Sequence, residues 1–172
     1  MIGHAGLYLT GLTFSDIRNG SRDEMKGDKT GATERAEKSI TREAGGNSMK
    51  RINLESESGK ETPLSAAVVY AGLVYVSGQA AIEPSTAELR LGDFRSELLL
   101  TLENLRRVLE AAGTDLEHTI KCTVYLADMG DYEEMNEVFS SFFGRSKPAR
   151  TTIQAVLAFG LKVEVDAVAG LP

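Results

Sequence analysis

Three charged residues near the end of the chain interrupt segments that otherwise have the pattern of mostly buried β-strands. Arg150 opens a β-branched run, whereas Glu164 and Asp166 alternate with Val163, Val165, Ala167 and Ala169. Burying a charge in a strand-rich core costs free energy unless the charge is paired or takes part in binding or catalysis. We therefore expect the functional chemistry of this protein at these residues. The planar guanidinium of arginine binds a carboxylate through two parallel hydrogen bonds. That carboxylate belongs either to a ligand or to a neighbouring side chain in a structural ion pair, and the residues alone leave both interpretations open.

Composition narrows the classes of protein that this chain can represent. A net charge of −6 argues against a protein that coats nucleic acid, because such proteins carry a basic face. The single cysteine, Cys122, excludes an internal disulfide framework and, with only His4 and His118, a zinc site of familiar spacing. No run approaches the ~20 apolar residues of a membrane span, and no secretory signal is recognisable. We expect a cytoplasmic protein without metal, nucleic-acid partner or membrane partner, which binds a small molecule or another protein chain.

Residues 1–48 differ in composition from the rest of the chain. They contain 8 of the 17 glycines and equal numbers of basic and acidic residues, so the net charge of −6 resides in residues 49–172. From residue 15 onwards this segment has almost no apolar periodicity, which is typical of sequences that cannot bury enough surface to fold. We predict that residues 1–48 are a disordered or non-native N-terminal extension and that residues 49–172 form one domain.

The first half of this domain has the pattern of a hairpin followed by a long helix. Short β-branched and aromatic runs at 66–70 and 73–82 flank Ala71-Gly72, which predicts a tight turn between antiparallel strands. Gly78 lies inside the second run, and a glycine there marks a bulge or a close approach to the backbone. Helical spacing then predicts a helix over about 93–112, from the positions of Phe94, Leu98, Leu102, Leu105 and Leu109.

The second half adds another strand, another helix and the charged segments described above. Ile120, Cys122, Val124 and Leu126 alternate with polar residues and predict a strand with one buried face. Cys122 is then a small core residue and not a nucleophile, because a reactive thiolate needs a nearby base or cation and the strand pattern suggests none on its buried face.

The second helix is predicted over 132–143, with a capping box in which Asp131 is the N-cap and Glu134 reaches back. Asn136 lies on or near its apolar stripe, where an asparagine is solvated, bonded to backbone or facing a ligand. The resulting order β-β-α-β-α-β-β predicts an α+β domain with both helices on one face of a sheet. Apolar strand residues exceed what two helices can cover, so we also expect an oligomer. The surplus is assigned to Val74, Val76, Val163 and Val165.

Eight segments spread over residues 50–170 together resemble the RidA family, also called the YjgF or L-PSP endoribonuclease family. Each segment alone is weak evidence for the family, whereas their order, together with the final P-A-R and E-x-D-A motifs, makes a specific pattern. The segments are PLSAAV (63–68), VYVSGQ (74–79), NL with LEAAG (104–105 and 109–113), KCTVYL (121–126), DY to the asparagine (131–136), FF (142–143), PAR (148–150) and VEVDA (163–167).

The resemblance implies a chorismate-mutase-like fold with a mixed sheet, assembled as a homotrimer with clefts between subunits. It implies hydrolysis of short-lived 2-imino or enamino acids, such as 2-aminoacrylate and 2-iminobutyrate, to 2-oxo acids and ammonia. A protonated imine is already electrophilic, so this reaction needs orientation, stabilisation of the iminium and one positioned water. We therefore expect no cofactor.

The resemblance also assigns roles to particular residues. It implies that Arg150 holds the substrate carboxylate and that Glu164 handles the water. It places Ser77 and Gly78 along the cleft wall and Asn136 among the residues that line the cleft.

Three further positions belong to the predicted site. Asp166 shares a strand face with Glu164, and the sequence does not decide which of the two carboxylates contacts the water. Leu64 stands where the family often has a tyrosine, and Thr152 stands where it often has a cysteine. The loss of a phenolic hydroxyl makes the pocket more apolar, which would change the preferred substrate or weaken activity.

Two other functions remain as alternatives. Leu64 in place of the tyrosine supports one alternative, in which the chain is a non-catalytic trimer that binds small carboxylates. The ribonuclease activity that the family name carries is disfavoured, because the folded part is acidic and has no basic stripe for phosphates.

Overall fold

The computed structural model describes residues 48–54 and 63–172, which form one mixed sheet with two helices. The predicted extension lies outside the described residues, apart from its last residue. In the sheet the strands run in the order β1-β2-β3-β6-β4-β5, and β4 and β5 are the one parallel pair among them. The elements are β1 (Lys50–Ile52), β2 (Ala67–Tyr70), β3 (Leu73–Gln79), α1 (Phe94–Ala112), β4 (Thr119–Leu126), α2 (Tyr132–Phe143), β5 (Ala149–Gln154) and β6 (Val163–Gly170).

The predicted hairpin is confirmed as β2 and β3. Its turn residues Ala71 and Gly72 have φ values of 51° and 78°, a pair of left-handed conformations that suits the twist of a two-residue hairpin. The second strand ends at Gln79, earlier than predicted, because the chain turns after it, where the Ile82 N–H donates to the Ala80 carbonyl at 2.8 Å. Its register against β6 shifts at a bulge between Val76 and Gln79. Gly78 lies in this bulge.

Helix α1 matches its prediction closely. The side chain of Asp93 accepts a hydrogen bond from the Ser96 backbone N–H at 2.9 Å, and Gly113 ends the helix with φ 90°. The apolar stripe is buried against the sheet: Phe94, Leu98, Leu102, Leu105 and Leu109.

Helix α2 begins where predicted, but the predicted capping box is wrong. Asp131 occupies the N-cap without any hydrogen bond from its side chain. Glu134 does not reach back, because its carboxylate accepts a hydrogen bond from Arg95 of α1 at 3.2 Å. A short 3₁₀ turn, Met129–Asp131, precedes the helix and leads the chain directly into its first turn.

The buried face of the sheet lies under both helices, as predicted. However, the residues to which the sequence assigned the surplus apolar surface belong to this core and are covered by the chain's own helices: Val74, Val76, Val163 and Val165. Some of the large apolar residues that stay exposed lie on the opposite face of the sheet. They include Tyr75, 45 % exposed, and Ile153. We call that opposite surface the open face.

Two strand predictions need correction. Ile120 is 51 % exposed instead of buried, because the β4 register against β6 shifts between Thr119 and Lys121 and leaves Ile120 as the extra residue. The segment that Arg150 opens is not a mostly buried strand but β5, which among the described strands pairs on one side only, at the edge of the sheet, and four of its six residues are exposed.

None of the helices in the described part of the chain is long and apolar enough to cross a membrane.

Candidate functional site

Arg150 lies near the start of β5 and faces helix α2. Its Nη2 donates a hydrogen bond to Oδ1 of Asn136 at 2.5 Å, and its guanidinium carbon lies 4.8 Å from the ring centroid of Phe139 and 5.9 Å from that of Tyr132. A guanidinium that lies over aromatic rings is stabilised by cation–π interactions. Its N–H groups that do not bind the amide can still bind a ligand. We call these residues, with Thr152, the arginine group.

The interpretation of Arg150 as part of a structural ion pair is wrong for the described residues. Among residues 48–54 and 63–172, no carboxylate lies within salt-bridge distance of its guanidinium. The half-buried cation is held instead by the neutral amide of Asn136 and by aromatic rings. Such a site retains the attraction for an anion that an internal carboxylate would cancel.

Glu164 lies on the open face and packs against the backbone of Gly78. A Cβ atom built on Gly78 would overlap the carboxylate Oε1 of Glu164. Gly78 does not have a positive φ, so this position needs glycine for the close approach and not for its backbone conformation. Burial raises the pKa of Glu164 above its ordinary value, and the negative charge of Asp166 raises it further.

Asp166 shares the open face with Glu164 but has a partner of its own. The hydroxyl of Tyr125 donates a hydrogen bond to Oδ2 of Asp166 at 2.8 Å. This bond raises the pKa of Tyr125, and burial adds to the effect. The hydroxyl of Ser77, beside Gly78, donates to the carbonyl of Ser65 at 2.8 Å and ties the bulge to the segment before β2. We call Glu164, Asp166, Gly78 and Ser77 the glutamate group.

The two groups lie on opposite faces of the sheet within one chain. In the strand register Arg150 stands beside Cys122, which stands beside Ala167, and both of these are buried under the helices. Glu164 pairs with Tyr125, on the alternate set of positions that forms the open face. Strand alternation therefore separates Arg150 from both carboxylates of its own β6.

The remaining predicted residues fall beside these groups. Thr152 is half-buried in β5 on the same face as Arg150, and it pairs with Val124. Leu64 lies in the bend before β2, next to the carbonyl of Ser65 that the glutamate group uses, and half of its surface is exposed. A surface cavity of about 420 Å³ contains none of the predicted site residues. It lies at the loop after β5 and is lined by Ala127, Gln154, Ala155, Val156, Leu157, Gly160, Leu161 and Lys162.

Sequence reasoning missed three residues that belong to these groups or contact them. Phe139 lies on the apolar stripe of α2, where helical spacing indicates a core residue, although it also supports the guanidinium. Tyr132 and Tyr125 were not singled out at all. Tyr125 was detectable in principle, because it alternates with the buried positions of β4 and so belongs to the same face as the two carboxylates.

Cys122 is a buried core residue, as predicted. Burial raises the pKa of its thiol to about 12, and the charge of Asp166 acts in the same direction. The thiol is therefore protonated at neutral pH and is not a nucleophile.

Gly78→Ala gives a direct test of the close approach to Glu164. The new methyl group displaces the carboxylate, and we expect any activity that depends on Glu164 to fall roughly 10- to 100-fold. Gly170→Ala is the matched control in β6, because a Cβ there would meet its nearest neighbour, Cδ1 of Ile120, at an ordinary 3.9 Å. Equal activities of the two variants would show that the contact does not matter.

Comparison with known proteins places the chain in a family. The profile of the family described as Endoribonuclease L-PSP matches residues 55–171, which is most of the chain and nearly all of its described part. The chain belongs to this family, the RidA family. The resemblance recognised from the eight sequence segments is thereby confirmed.

Relatives within the RidA family include named imine deaminases. The 2-iminobutanoate/2-iminopropanoate deaminase of Mus musculus is 41% identical over 108 residues, which cover 62% of this chain and 80% of the mouse protein. A RutC family protein from Pyrococcus horikoshii is also 41% identical over 108 residues, 62% of this chain and 86% of its own length. The crystal structure of E. coli TdcF with bound serine has 30% identity and a TM-score of 0.64, over 72% of this chain and 100% of that one.

Proposed function

We propose that this protein hydrolyses reactive 2-imino or enamino acids, such as 2-iminobutyrate and 2-aminoacrylate, to 2-oxo acids and ammonia. The observation that carries the proposal is Arg150, a half-buried guanidinium without an ion pair among the described residues. The names of the mammalian RidA relatives, 36% to 41% identical, support the same chemistry. A solved relative with serine bound, TdcF, supports a ligand that is an amino acid or close to one.

Arg150 has the properties of a carboxylate anchor. Its planar fork binds both oxygens of a carboxylate, and the contacts to Asn136 and Phe139 fix the side chain before the substrate arrives. In this proposal Thr152 and Asn136 line the same part of the site. Leu64 stands where a phenolic hydroxyl is common in the family, so we expect it to alter the preferred side chain of the substrate.

Glu164 has the properties of the group that handles the water. Its raised pKa means that the carboxylate accepts a proton more readily than an ordinary glutamate does. Water adds through oxygen to C2 of the protonated imine, and Glu164 takes one of its protons. The same proton then passes to the nitrogen, and the C–N bond breaks as the C2 hydroxyl gives its proton to the departing ammonia. The sum is one protonated imine and one water converted to one 2-oxo acid and one ammonium ion, so Glu164 ends as it began.

The separation of Arg150 and Glu164 supports a site shared between copies of the chain. Strand β6 is two strands away from edge strand β5, about 10 Å, and the two side chains point to opposite faces. The carboxylate of a 2-imino acid is one bond from C2, so one small substrate cannot contact both residues of the same chain. A homotrimer in which the arginine group of one copy meets the glutamate group of the next satisfies this requirement. Apolar residues on the open face, including Tyr75 and Ile153, support burial against another copy.

The activity is tested by generating the imine in place. A threonine or serine dehydratase produces 2-iminobutyrate or 2-aminoacrylate, and the loss of the imine is followed with and without this protein. We expect the protein to accelerate imine loss above the uncatalysed rate. If a folded oligomer leaves the rate unchanged but is stabilised by 2-oxobutyrate, the alternative of a non-catalytic carboxylate-binding module, suggested by Leu64, is correct instead.

Mixing two inactive variants tests the shared site. Arg150→Ala and Glu164→Gln are each expected to be inactive, but their co-assembled mixture contains some sites with Arg150 from one copy and Glu164 from another. For equal amounts and random assembly, about a quarter of the sites are intact, so about a quarter of the wild-type rate should return. A site within one chain predicts no recovery at all, and so does a mixture that fails to exchange subunits. Mass spectrometry of the assembled species separates these two outcomes.

A further inference from the structure

Two carboxylates, Glu164 and Asp166, alternate along β6 on the open face, about 7 Å apart along the strand. Both are half-buried there, and like charges at this distance in a partly desolvated setting repel each other. A site with one reacting centre needs only one of them to contact the water. Something in the fold must therefore direct the two carboxylates to different places.

The contacts of the two carboxylates lie on opposite sides of β6. Asp166 accepts the hydroxyl of Tyr125 from β4 at 2.8 Å, whereas Glu164 packs on Gly78 of β3. The register pairs Tyr125 with Glu164, and the residue paired with Asp166 is Thr123. The tyrosine side chain therefore crosses diagonally from its own pair to the next one, a reach that aromatic side chains have.

We propose that Tyr125 and Asp166 are positioning residues for Glu164, with the tyrosine hydroxyl holding Asp166 on the β4 side so that Glu164 alone reaches the reacting centre over Gly78. This inference rests on the proposed function and deepens it, because it decides between the two carboxylates. Glu164 is the catalytic residue. Asp166 acts through Glu164, since its fixed negative charge makes the glutamate a stronger proton acceptor.

Electrostatics on the open face agree with this assignment. Burial raises the pKa of Glu164 and the charge of Asp166 raises it further, whereas no cation among the described residues contributes to the shift. Lys121, the lysine on this face, directs its ammonium to Oγ1 of Thr151 at 2.7 Å. The titratable and charged groups that the described strands place on this face besides Glu164 are Arg51, Tyr70, Tyr75, Lys121, Tyr125 and Asp166.

Tyr125→Phe removes one hydroxyl and keeps the ring. We expect kcat for imine hydrolysis to fall roughly two- to tenfold, the value of one hydrogen bond, with KM unchanged because Arg150 still binds the carboxylate. Tyr70→Phe is the matched control, a tyrosine at the end of β2 on the same face to which neither proposal assigns a role, and it should keep the wild-type rate.

The pH dependence separates positioning from a merely structural role. Because activity requires ionised Glu164, kcat rises with pH through the pKa of that group. Asp166→Asn removes the neighbouring charge and should move this acidic limb to lower pH. Tyr125→Phe frees the Asp166 carboxylate to approach Glu164 and should move the limb to higher pH. Unchanged limbs in both variants, or shifts in the same direction, would overturn the inference.

A measurement without turnover distinguishes failure of this inference from failure of the proposed function. Carboxyl-¹³C labelling of glutamate allows the titration of Glu164 to be followed by NMR, with Glu164→Gln identifying its signal. We expect the midpoint to be lower in Asp166→Asn than in the wild type. An inactive wild type with this shift would contradict the deaminase proposal alone, whereas an active wild type without it would contradict the positioning role alone.

Discussion

Arg150→Ala should lower kcat/KM for 2-iminobutyrate hydrolysis by roughly 10²- to 10⁴-fold. The variant loses two charge-assisted hydrogen bonds to the substrate carboxylate, each worth about 1.5–3 kcal/mol. Because no carboxylate pairs with Arg150 among the described residues, its removal leaves no internal anion unpaired, and the fold should remain intact. The assay is the dehydratase-coupled loss of imine, with the unfolding midpoint measured in parallel.

Two further variants sharpen this result. Arg150→Lys keeps the charge but not the planar fork or the stacking on Phe139, so it should recover only a small part of the lost rate. Arg107→Ala removes an exposed arginine from α1 and should behave as the wild type. Full activity of Arg150→Ala would refute the proposed function, and full activity of Arg150→Lys would show that charge alone is enough.

Glu97→Ala should destabilise the folded protein by about 3 kcal/mol. The carboxylate of Glu97, fully buried in the first turn of α1, accepts hydrogen bonds at 2.9 Å from three donors, the backbone N–H groups of Gly92 and Lys162 and the Lys162 ammonium. The variant leaves both N–H groups without their acceptor and the ammonium without its counter-charge. The side chain of Lys162 is 38 % exposed, so its ammonium regains part of its hydration, which limits the loss.

Urea unfolding at fixed protein concentration measures this loss. The midpoint should fall in Glu97→Ala while the slope stays the same. Glu110→Ala is the control from the same helix, since its exposed ion pair with Arg106 contributes at most about 1 kcal/mol. Equal midpoints for the two variants would mean that the buried carboxylate contributes no more than a surface one.

The contribution of Glu97 also depends on pH. Burial alone would raise the pKa of Glu97, but the N–H groups of Gly92 and Lys162 and the Lys162 ammonium hold it below its ordinary value of 4.5. A group whose pKa is lowered on folding binds its proton more readily in the unfolded chain. Its stabilisation is therefore complete above about pH 4.5 and is lost as the pH falls through the folded-state pKa. The difference in unfolding free energy between wild type and Glu97→Gln should shrink over that acidic range.

The residue pattern by itself determined the local elements. Helix α1, the hairpin turn at Ala71-Gly72 and the buried alternation of β6 follow from periodicity and from conformational preferences of single residues, which act over a few positions. The identities of Arg150 and Glu164 as candidate site residues also came from the sequence, because charges in apolar strands and the order of the motifs are visible without a structure.

Tertiary structure decided what these residues contact. Which face Arg150 presents depends on the register of β5 against β4, and that register joins residues about 30 positions apart in the chain. The exposure of Ile120 follows from a bulge in the pairing of β4 with β6. Local preferences carry no information on such pairings, since packing among distant segments sets them. For the same reason, only the folded chain shows Asn136 as the partner of Arg150 and Tyr125 as that of Asp166.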